Sequence, residues 1–277
     1  MTAAGLYYAG AEVNWWYAIW ATIGIVLFHA TGNAWSDWFD FRKGVDREDT
    51  KGSTVITSGA ITPKEDLMLA IVLLVLSLAN GVAMLLVIDR PLPLLYVGVA
   101  GAILAIGYPW TKYHAMGDLN ILFTYGILPA LGTGYISTGC WTWEALWYTP
   151  AFVTITVAVL HANNTRDIEP DGRAGITTFA MLIGRKASAI LYYLEVWLPA
   201  VWTLVLICLG RMPWLCILIL ASFRMIADNC RQMYHLKDDP HAIDNLDERT
   251  SMQQMLSSGI LILSMVIMRL ASEVHLG

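Results

Sequence analysis

The feature that most constrains this chain is a series of long apolar segments, each close to the length that crosses a lipid bilayer. A transmembrane helix needs about 20 mostly apolar residues. Eight segments meet this requirement, with proline, glycine and charged clusters between them: 14–36, 65–88, 93–110, 118–138, 146–166, 187–209, 212–233 and 253–271. They are long and do not alternate between polar and apolar residues, and a lipid-exposed backbone must satisfy its own hydrogen bonds. The sequence therefore predicts an all-α integral membrane protein rather than a barrel.

The composition agrees with a bilayer environment. Hydrophobic residues make up 57% of the chain and charged residues 14%, whereas a soluble domain has about 25% charged residues. The formal net charge of −5 leaves no basic footprint for nucleic acid, so we expect no nucleic-acid partner. The connections are too short to separate domains and no internal repeat stands out. We therefore expect residues 1–277 to form a single domain in contact with membrane lipid.

The cysteines and the N-terminus exclude two further classes. The four cysteines form no CxxC pair, so neither a zinc site nor a disulfide framework is predicted, and we interpret them as packing residues: they are Cys140, Cys208, Cys216 and Cys230. The first 20 residues have no basic region ahead of an apolar core, which argues against a cleaved secretory signal. The first apolar segment is therefore expected to remain in the mature protein.

The distribution of basic residues predicts the orientation. Alternating the connections between two sides places the long charged loops together: 37–64, 111–117, 167–186 and 234–252. Most Lys and Arg residues lie on that side, whereas the opposite side carries Arg90, Arg211 and Arg269. Positive charge is concentrated in cytoplasmic loops of membrane proteins. We therefore expect a multi-pass protein of the cell (inner) membrane whose charged loops face the cytoplasm.

The stretch NAWSDWFDFRKGVD, residues 33–46, ends the first apolar segment in three carboxylates. On a helix, Asn33 and Asp37 are four residues apart and Asp37 and Asp40 are three apart, so their side chains project from one face. His29 continues this stripe one turn deeper, and Asp46 follows in the loop. Polar groups this close to a bilayer require a reason, and these can converge on one ligand.

A second acidic stretch, NNTRDIEPDGRAG at residues 163–175, ends another segment on the same predicted side. Asp167 and Asp171 are four residues apart, with Asn163, Asn164 and Arg166 beside them. Oxygen-only clusters suit Mg²⁺, which prefers one or two carboxylates together with water and substrate phosphate oxygens. Two such clusters facing each other could hold a diphosphate between metal ions. The alternative is that these aspartates are helix caps or solvated loop charges.

A third element lies at another end on the same side. In YPWTK, Tyr108 and Lys112 are four residues apart, and GDL follows at 117–119. Lys112 could neutralise a phosphate oxygen. The alternative interpretation is an ordinary lysine at the membrane surface, because cytoplasmic flanks are rich in Lys and Arg.

The order and spacing of these elements resemble the UbiA-type intramembrane prenyltransferases. The matching patterns are NxxxDxxD with a following Asp, YPxxK with GDL, and NNxRDxxxD. Within that family, the run from residue 163 to 185, with TSG at 57–59 and LPALGTGY at 128–135, is most similar to the 1,4-dihydroxy-2-naphthoate polyprenyltransferases of menaquinone synthesis. The similarity covers residues 5–190 and beyond them extends only to hydropathy. Two departures are Ser36, where many members have Asn, and a first span reduced to a short segment around residues 5–10.

The resemblance implies a fold, a reaction and roles for these residues. The fold is a bundle of eight to nine transmembrane helices around a central cavity that opens near the cytoplasmic side. The reaction is Mg²⁺-dependent transfer of a polyprenyl group from a polyprenyl diphosphate to an aromatic acceptor. The implied catalytic Mg²⁺ ligands are Asp37, Asp40, Asp167 and Asp171, with Asp46 as a further metal ligand. The implied substrate-binding residues are Asn33, Tyr108, Lys112, Asn163, Asn164 and Arg166.

Other polar and aromatic residues also carry expectations. An allylic cation is stabilised by aromatic faces, for which Trp38, Tyr108 and Tyr135 are candidates. His161 lies within an apolar segment and is interpreted as a satisfied interior histidine. Arg224 and Asp228, four residues apart, are interpreted as an ion pair.

Three rival functions are compatible with parts of this pattern. Other acceptors of the same superfamily, namely 4-hydroxybenzoate, haem or a glycerolipid, would share the metal site. An ion-coupled membrane transporter would place its charged sites near the bilayer midplane, often between inverted repeats. A purely structural role would not require matched carboxylate clusters.

Overall fold

The computed structural model describes the backbone of residues 1–276 and the side chains of residues 1–274. Over these residues the chain is helical, and its only β-type pairing is a bridge between His114 and Thr177. The helices are α1 Thr2–Tyr8, α2 Trp15–Lys43, α3 Pro63–Val87, α4 Leu92–Ile106, α5 Tyr108–Tyr113, α6 Gly117–Leu122, α7 Leu128–Thr138, α8 Pro150–Arg166, α9 Ile168–Arg173, α10 Phe179–Cys208, α11 Phe223–His235 and α12 Leu246–Leu276.

The ends of the first two long helices follow from local side chains. The side chain of Asn14 accepts a hydrogen bond from the backbone N–H of Tyr17 at the start of α2. Helix α2 stops at Gly44, which adopts a left-handed conformation with φ of 76°. At the start of α3, Thr62 and Glu65 form a capping box. The loop between α2 and α3 therefore has fixed ends on both sides.

Each predicted segment coincides with helix, but fewer helices have the length and hydropathy of a membrane span. In the described residues four do so: Pro63–Val87, Gly117–Thr138, Phe179–Cys208 and Leu246–Val274. Helix α4 is a shorter apolar helix. These long apolar helices indicate an integral membrane protein, but the predicted count of eight to nine spans is not confirmed.

Proline and glycine divide three of the predicted segments. The segment 93–110 breaks at Gly107, ahead of Pro109. The segments 146–166 and 212–233 begin with 3₁₀ turns at Trp143–Tyr148 and Trp214–Ser222. Pro150 follows the first of these turns and Pro213 precedes the second. A proline lacks the N–H needed to continue an α-helix from the preceding turn. This explains the interruptions at Pro109 and Pro150, whereas Pro213 marks only the start of its 3₁₀ turn.

Helix α8 lies at the centre of the packing. It packs against both α10 and α12, while α2 packs against α3. Small and β-branched residues of α8 are fully buried, which lets neighbouring helices approach closely: Ala151, Val153, Ile155, Ala158 and Ala162. The polar residues at the end of α8 are therefore held from several sides.

A five-residue π-helical segment, Phe123–Ile127, joins α6 to α7. It lies directly against α8, because a Cβ atom added at Gly126 would lie 2.4 Å from Cγ2 of Val153. Pro129 follows at the start of α7. This segment therefore requires glycine at position 126 for close contact between helices.

The charged loops meet at one end of the bundle. The backbone N–H of Ala115 donates to the carbonyl of Thr177 (2.7 Å), which joins the loop after α5 to the loop after α9. Arg173 lies 3.5 Å from Asp49, and Lys51 lies 3.2 Å from Asp244. These contacts bring together the loops that the alternation of segments placed on one side.

The short N-terminal helix α1 lies at the opposite end. Tyr148, just before α8, donates a hydrogen bond to the carbonyl of Gly5 (2.9 Å), and Tyr7 donates to Glu273 (3.1 Å). Asp167 follows the other end of α8, roughly 25 Å away at the usual helical rise. The short N-terminal segment therefore packs against the far end of α8, away from the acidic stretches.

The interpretation of all four cysteines as packing residues was wrong for two of them. Cys216 is buried in the core, but Cys140 and Cys208 are exposed, and all four are free thiols. Cys140 follows the turn that ends α7, and Cys208 is the last residue of α10. Residues at such boundaries face outwards even where the surrounding sequence is apolar.

Replacing Gly126 by Ala is expected to destabilise the protein by about 1–3 kcal/mol, because the added methyl group overlaps Val153 in a packed interface. The measurement is the unfolding midpoint of the purified protein in detergent. Gly259→Ala is the control, since a Cβ atom there meets nothing within 4 Å; it should be neutral or slightly stabilising. Equal unfolding midpoints for the two variants would contradict this packing.

Candidate active site at the acidic helix ends

Asp40 is the most strongly held carboxylate of the first acidic stretch. It is buried near the end of α2 and accepts hydrogen bonds from the ammonium group of Lys112 and from the hydroxyl of Tyr113, the latter at 2.9 Å. Ser36 donates a third hydrogen bond to it at 3.2 Å. A buried carboxylate needs such partners, because an unpaired charge in a region of low dielectric constant is costly. The structure thus joins the first and third sequence elements directly.

Asp37 lies on the same face of α2 but has different partners. Its carboxylate accepts a hydrogen bond of 3.0 Å from Ser53 in the following loop. Asp66, buried at the start of α3, lies within electrostatic range of Asp37. Neither Asp66, in the first turn of α3, nor Ser53 belongs to a motif that the sequence singles out. The acidic cluster is therefore larger than the sequence predicts.

Asp46 is buried beneath the loop that follows α2. A Cβ atom added at Gly52 would lie 1.9 Å from Oδ1 of Asp46, so the loop backbone rests directly on this carboxyl group. Burial raises the pKa of Asp46 to about 7, and the negative charge of Asp40 adds to the effect. Asp46 therefore lies within electrostatic range of Asp37 and Asp40, the other acidic residues of this stretch.

In the second acidic stretch, Arg166 and Asp167 form a bidentate ion pair. Arg166 donates two hydrogen bonds to Asp167, at 2.8 and 2.7 Å, and its other guanidinium nitrogen lies 3.5 Å from Asp247 at the start of α12. Paired N–H···O bonds of this kind fix the orientation of both side chains. Asp167 is thus held at the end of α8 by its neighbour in the sequence.

Lys112 connects the two acidic stretches. It is hydrogen-bonded to Asp40 and lies within electrostatic range of Asp171 in α9. Asp171 is buried, and burial raises its pKa to about 7; Lys112 opposes this rise, while Asp167 and Asp40 add to it. The bridge between His114 and Thr177 supplies the geometry, because it ties the chain after Lys112 to the chain after Asp171. The two acidic helix ends therefore share one electrostatic environment.

The donor chemistry of this cluster suits Mg²⁺. Among the residues that the structure describes, no group of three or more His, Cys, Asp or Glu side chains is close enough to hold a metal ion as it stands. Mg²⁺, however, is typically bound by one or two carboxylates plus water and substrate phosphates. Asp46 and Asp171 are buried carboxyl groups whose pKa values are raised to about 7, chiefly by burial and further by neighbouring carboxylates. A divalent cation would compensate their negative charge.

A chamber of about 340 Å³, whose walls combine apolar surface with polar side chains, lies one turn deeper than the acidic ends. Two of the predicted substrate-binding residues line it at matching places, since Asn33 precedes Asp37 by four residues and Asn163 precedes Asp167 by four. Tyr108 and His29 also line it. Asn164 is buried but does not line the chamber. The chamber thus extends from the two acidic stretches into the bundle.

An apolar groove of about 280 Å³ lies beside this chamber, between α2, α3, α4 and α7. Its walls are almost entirely hydrocarbon, with residues such as Ile25, Phe28 and Leu128. Thr124 and Tyr125, from the π-helical segment, line both the groove and the chamber. The two spaces therefore adjoin each other at this segment.

Two of the three aromatic candidates lie away from the chamber. Tyr135 is buried and donates its hydroxyl hydrogen bond to the carbonyl of Arg90, at the far end of the bundle. Trp38 stacks on Trp35 and lies under the guanidinium of Arg42. Tyr108 does line the chamber. A single sequence shows that aromatic residues occur near an acidic helix end, but not which way each ring points.

Tyr125 and two α12 residues line the chamber without having been identified from the sequence. Tyr125 packs edge-on against His29 with ring centroids 5.0 Å apart. Ser251 and Gln254 reach the chamber from α12. The only available sequence signal for Gln254 was a polar residue in an apolar segment, and Ser251 lies in what the sequence predicts as the charged loop 234–252.

The interpretation of His161 as a satisfied histidine was wrong. Its side chain is fully buried, and neither ring nitrogen has a hydrogen-bond partner among the described residues. The nearest carboxylate oxygen, Oδ2 of Asp118, is 3.7 Å away. Arg224 and Asp228 do form the expected ion pair at 3.9 Å, on an exposed surface.

The raised pKa values of Asp46 and Asp171 predict an effect of Mg²⁺ on stability that depends on pH. These groups bind protons more tightly in the folded chain than in the unfolded chain, where the pKa is about 4. Without divalent cations, their contribution to stability is fully present below about pH 4 and is lost as the pH rises through about 7. Mg²⁺ held by these groups would bind their deprotonated form, so its stabilising effect should grow over the same range.

Thermal unfolding in detergent at several pH values, with and without Mg²⁺, measures this effect. We expect the shift caused by Mg²⁺ to be larger at about pH 8 than at about pH 5. In Asp171→Asn, both the loss of stability with rising pH and the Mg²⁺ shift should diminish. A Mg²⁺ shift that is the same at both pH values would contradict the assignment.

Comparison with known proteins identifies relatives of the whole arrangement. A model described as the UbiA prenyltransferase family matches residues 1–242. The UbiA prenyltransferase domain-containing protein 1 homolog of Drosophila melanogaster is 34% identical over 180 residues, which are 63% of this chain and 50% of that protein. The UbiA prenyltransferase domain-containing protein 1 of Homo sapiens is 32% identical over 181 residues, 64% of this chain and 53% of the human one. The chain thus spans about half the length of the curated relatives it matches.

Solved structures show the same fold. The apo structure of a UbiA homolog from Aeropyrum pernix K1 superimposes with a TM-score of 0.73 at 14% identity, covering 95% of each chain. A structure described as digeranylgeranylglyceryl phosphate synthase gives a TM-score of 0.57 at 16% identity, covering 96% of this chain and 91% of that one. At these identities the likeness concerns the fold alone. Because the family model covers most of the chain and the fold agrees with it, this chain belongs to the UbiA prenyltransferase family.

Proposed function

We propose that the protein is a Mg²⁺-dependent intramembrane prenyltransferase. It transfers a polyprenyl group from a polyprenyl diphosphate to an aromatic acceptor of the 1,4-dihydroxy-2-naphthoate type, as in menaquinone synthesis. The observation that carries the proposal is the position of Lys112, which is hydrogen-bonded to Asp40 and lies within electrostatic range of Asp171. Two acidic helix ends around one cation, next to a chamber lined in part by polar side chains, match the needs of a metal-bound diphosphate.

The diphosphate is assigned to the acidic ends. Mg²⁺ would be held by Asp37, Asp40, Asp167 and Asp171, with Asp46 completing the cluster. When bound, it neutralises the charge of the diphosphate and so stabilises the leaving group. Lys112 and Arg166 add charge-assisted hydrogen bonds to phosphate oxygens. Both side chains are already fixed by carboxylates, so little conformational entropy is lost when the diphosphate binds.

The prenyl chain is assigned to the apolar groove. A hydrocarbon tail is stabilised by burial against apolar side chains, and this groove presents almost no polar surface. Because Thr124 and Tyr125 line both spaces, a tail in the groove can present its first carbon to the chamber. The reaction breaks the C–O bond to the diphosphate, which leaves with the bonding electron pair, and forms a C–C bond to the acceptor ring, which in turn loses its carboxylate as CO₂.

Residues around the chamber shield the allylic cation from water and stabilise its charge. The chamber is lined by residues from seven helical elements, which limits the access of water to an allylic cation. The rings of Tyr108 and Tyr125 offer aromatic faces to the same cation. We place the acidic end at the cytoplasmic face of the inner membrane, following the distribution of basic residues.

Other acceptors of the superfamily remain the alternative. One solved structure with this fold is described as digeranylgeranylglyceryl phosphate synthase, which supports a glycerolipid as a second candidate acceptor. An ion-coupled transporter is disfavoured, because the carboxylates lie at helix ends on one side rather than at the midplane.

The test is product formation by the purified protein with Mg²⁺, a polyprenyl diphosphate and a panel of acceptors, with products identified by mass. We expect product with dihydroxynaphthoate, abolished by EDTA. Asp37→Asn and Asp167→Asn should each lower kcat/KM on the order of 100-fold or more, since each removes a proposed metal ligand.

The matched control is Asp89→Asn, an aspartate in the short turn at the opposite end of the bundle, which should retain full activity. Unchanged turnover in both acidic-end variants would remove the proposed metal roles. Turnover only with 4-hydroxybenzoate or a glycerolipid would move the assignment to that branch.

A further inference from the structure

Several polar side chains around the chamber are already engaged in hydrogen bonds that join neighbouring parts of the chain. The side-chain amide of Asn120 donates to the carbonyl of Leu104 and to Thr111, both at 3.0 Å, and its oxygen accepts from Thr124 at 2.8 Å. Ser251 donates to the carbonyl of Asp247 at 2.9 Å. These side chains hold helices together and have little capacity left for a ligand.

Gln254 differs because only half of its amide is engaged. Its nitrogen donates to Oγ1 of Thr156 at 2.6 Å and to the carbonyl of Phe152 at 3.5 Å. A backbone carbonyl can only accept, so the amide nitrogen must face it. The amide oxygen is then turned away from α8 and has no hydrogen bond to the described residues. Gln254 therefore presents a fixed hydrogen-bond acceptor at the chamber wall.

A second amide oxygen lies on the same wall. Oδ1 of Asn163 is buried and lacks a hydrogen-bond partner. Asn163 follows Thr156 by seven residues, two helical turns along the same face of α8. Two uncharged amide oxygens in one chamber favour a ligand with hydroxyl groups that can donate hydrogen bonds to them.

The size and remaining walls indicate the rest of the ligand. A chamber of about 340 Å³ lies at the lower end of the range for small-molecule sites. It can hold an aromatic ring system, while the long apolar chain has a separate groove. The rings of Tyr108, Tyr125 and His29 provide aromatic surfaces for stacking.

We propose that this chamber is the seat of the aromatic acceptor and that Gln254 determines its specificity by accepting a hydrogen bond from a ring hydroxyl. The inference rests on the proposed function and adds the residue that selects the acceptor. Thr156 is a positioning residue, since it holds the amide of Gln254 in place.

The experiment compares two acceptors in three variants. The acceptors are 1,4-dihydroxy-2-naphthoate and 1-hydroxy-2-naphthoate, which lacks one hydroxyl group. Gln254→Leu should raise KM for the dihydroxy acceptor about tenfold, the effect of losing one hydrogen bond in a buried site. The difference in KM between the two acceptors should shrink, because the hydroxyl has lost its partner. KM for the polyprenyl diphosphate should not change.

Thr156→Val and Gln253→Leu are the comparisons. Thr156→Val should give a smaller change with the same selectivity, because it frees Gln254 without removing it. Gln253 lies beside Gln254 but bonds Asn229 and the carbonyl of Val196, outside the chamber. Gln253→Leu should lower stability without changing the ratio of the two acceptors. The proposal would be overturned if Gln254→Leu left KM for the dihydroxy acceptor unchanged, or if it raised KM equally for the two acceptors.

Binding separates this inference from the proposed reaction. Quenching of tryptophan fluorescence by 1,4-dihydroxy-2-naphthoate alone reports binding without turnover. If the acceptor quenches the fluorescence of the wild type and does so more weakly in Gln254→Leu, the chamber is supported as the acceptor-binding site. This conclusion would hold even if no product formed with any prenyl donor, whereas the absence of product would refute the proposed reaction. Equal quenching in both proteins, or no quenching in the wild type, would contradict the assignment of the chamber as the acceptor-binding site.

Discussion

The arrangement depends on keeping several buried carboxylates together at one end of a membrane protein. Charges removed from water are costly unless they are paired, and here the pairing crosses the sequence. Lys112 is bonded to Asp40, Arg166 is bonded to Asp167, and Asp171 lies within range of Lys112. Each cation thus fixes a helix end in addition to balancing its charge. The acidic groups exceed the cations available to them, and this excess is what a divalent cation can offset.

Helix α8 connects the charged end to the interior of the helix bundle. Its small buried residues allow α10 and α12 to pack closely, and its last two turns carry Asn163, Arg166 and Asp167. The same helix anchors Gln254 of α12 through Thr156. The charged end and the uncharged chamber are therefore built on one rigid element, so a ligand in one space has a fixed position relative to the other.

The parts of the site that follow from helical periodicity could be predicted from the sequence. Asn33, Asp37 and Asp40 share one face because their spacing is local, and the same holds for Tyr108 and Lys112. Contacts made through loops could not be predicted in this way. The approach of Asp171 to Lys112 depends on the bridge between His114 and Thr177, and the contact of Ser53 with Asp37 depends on the path of the loop after α2. Ring directions were equally hidden, which is why Trp38 and Tyr135 were misplaced and Tyr125 was not identified.

The π-helical segment explains how the apolar groove can adjoin a chamber that carries more polar groups. A π-turn inserts an additional residue into a helix and shifts the face on which the following side chains lie, and such turns are frequent at functional sites. Here the segment Phe123–Ile127 places Thr124 and Tyr125 against both the apolar groove and the polar chamber. Gly126 lets the widened turn press against Val153, so the shift is absorbed by packing rather than by a gap. A hydrocarbon chain and a hydroxylated ring could then meet at one wall, each within the surroundings that suit its own polarity.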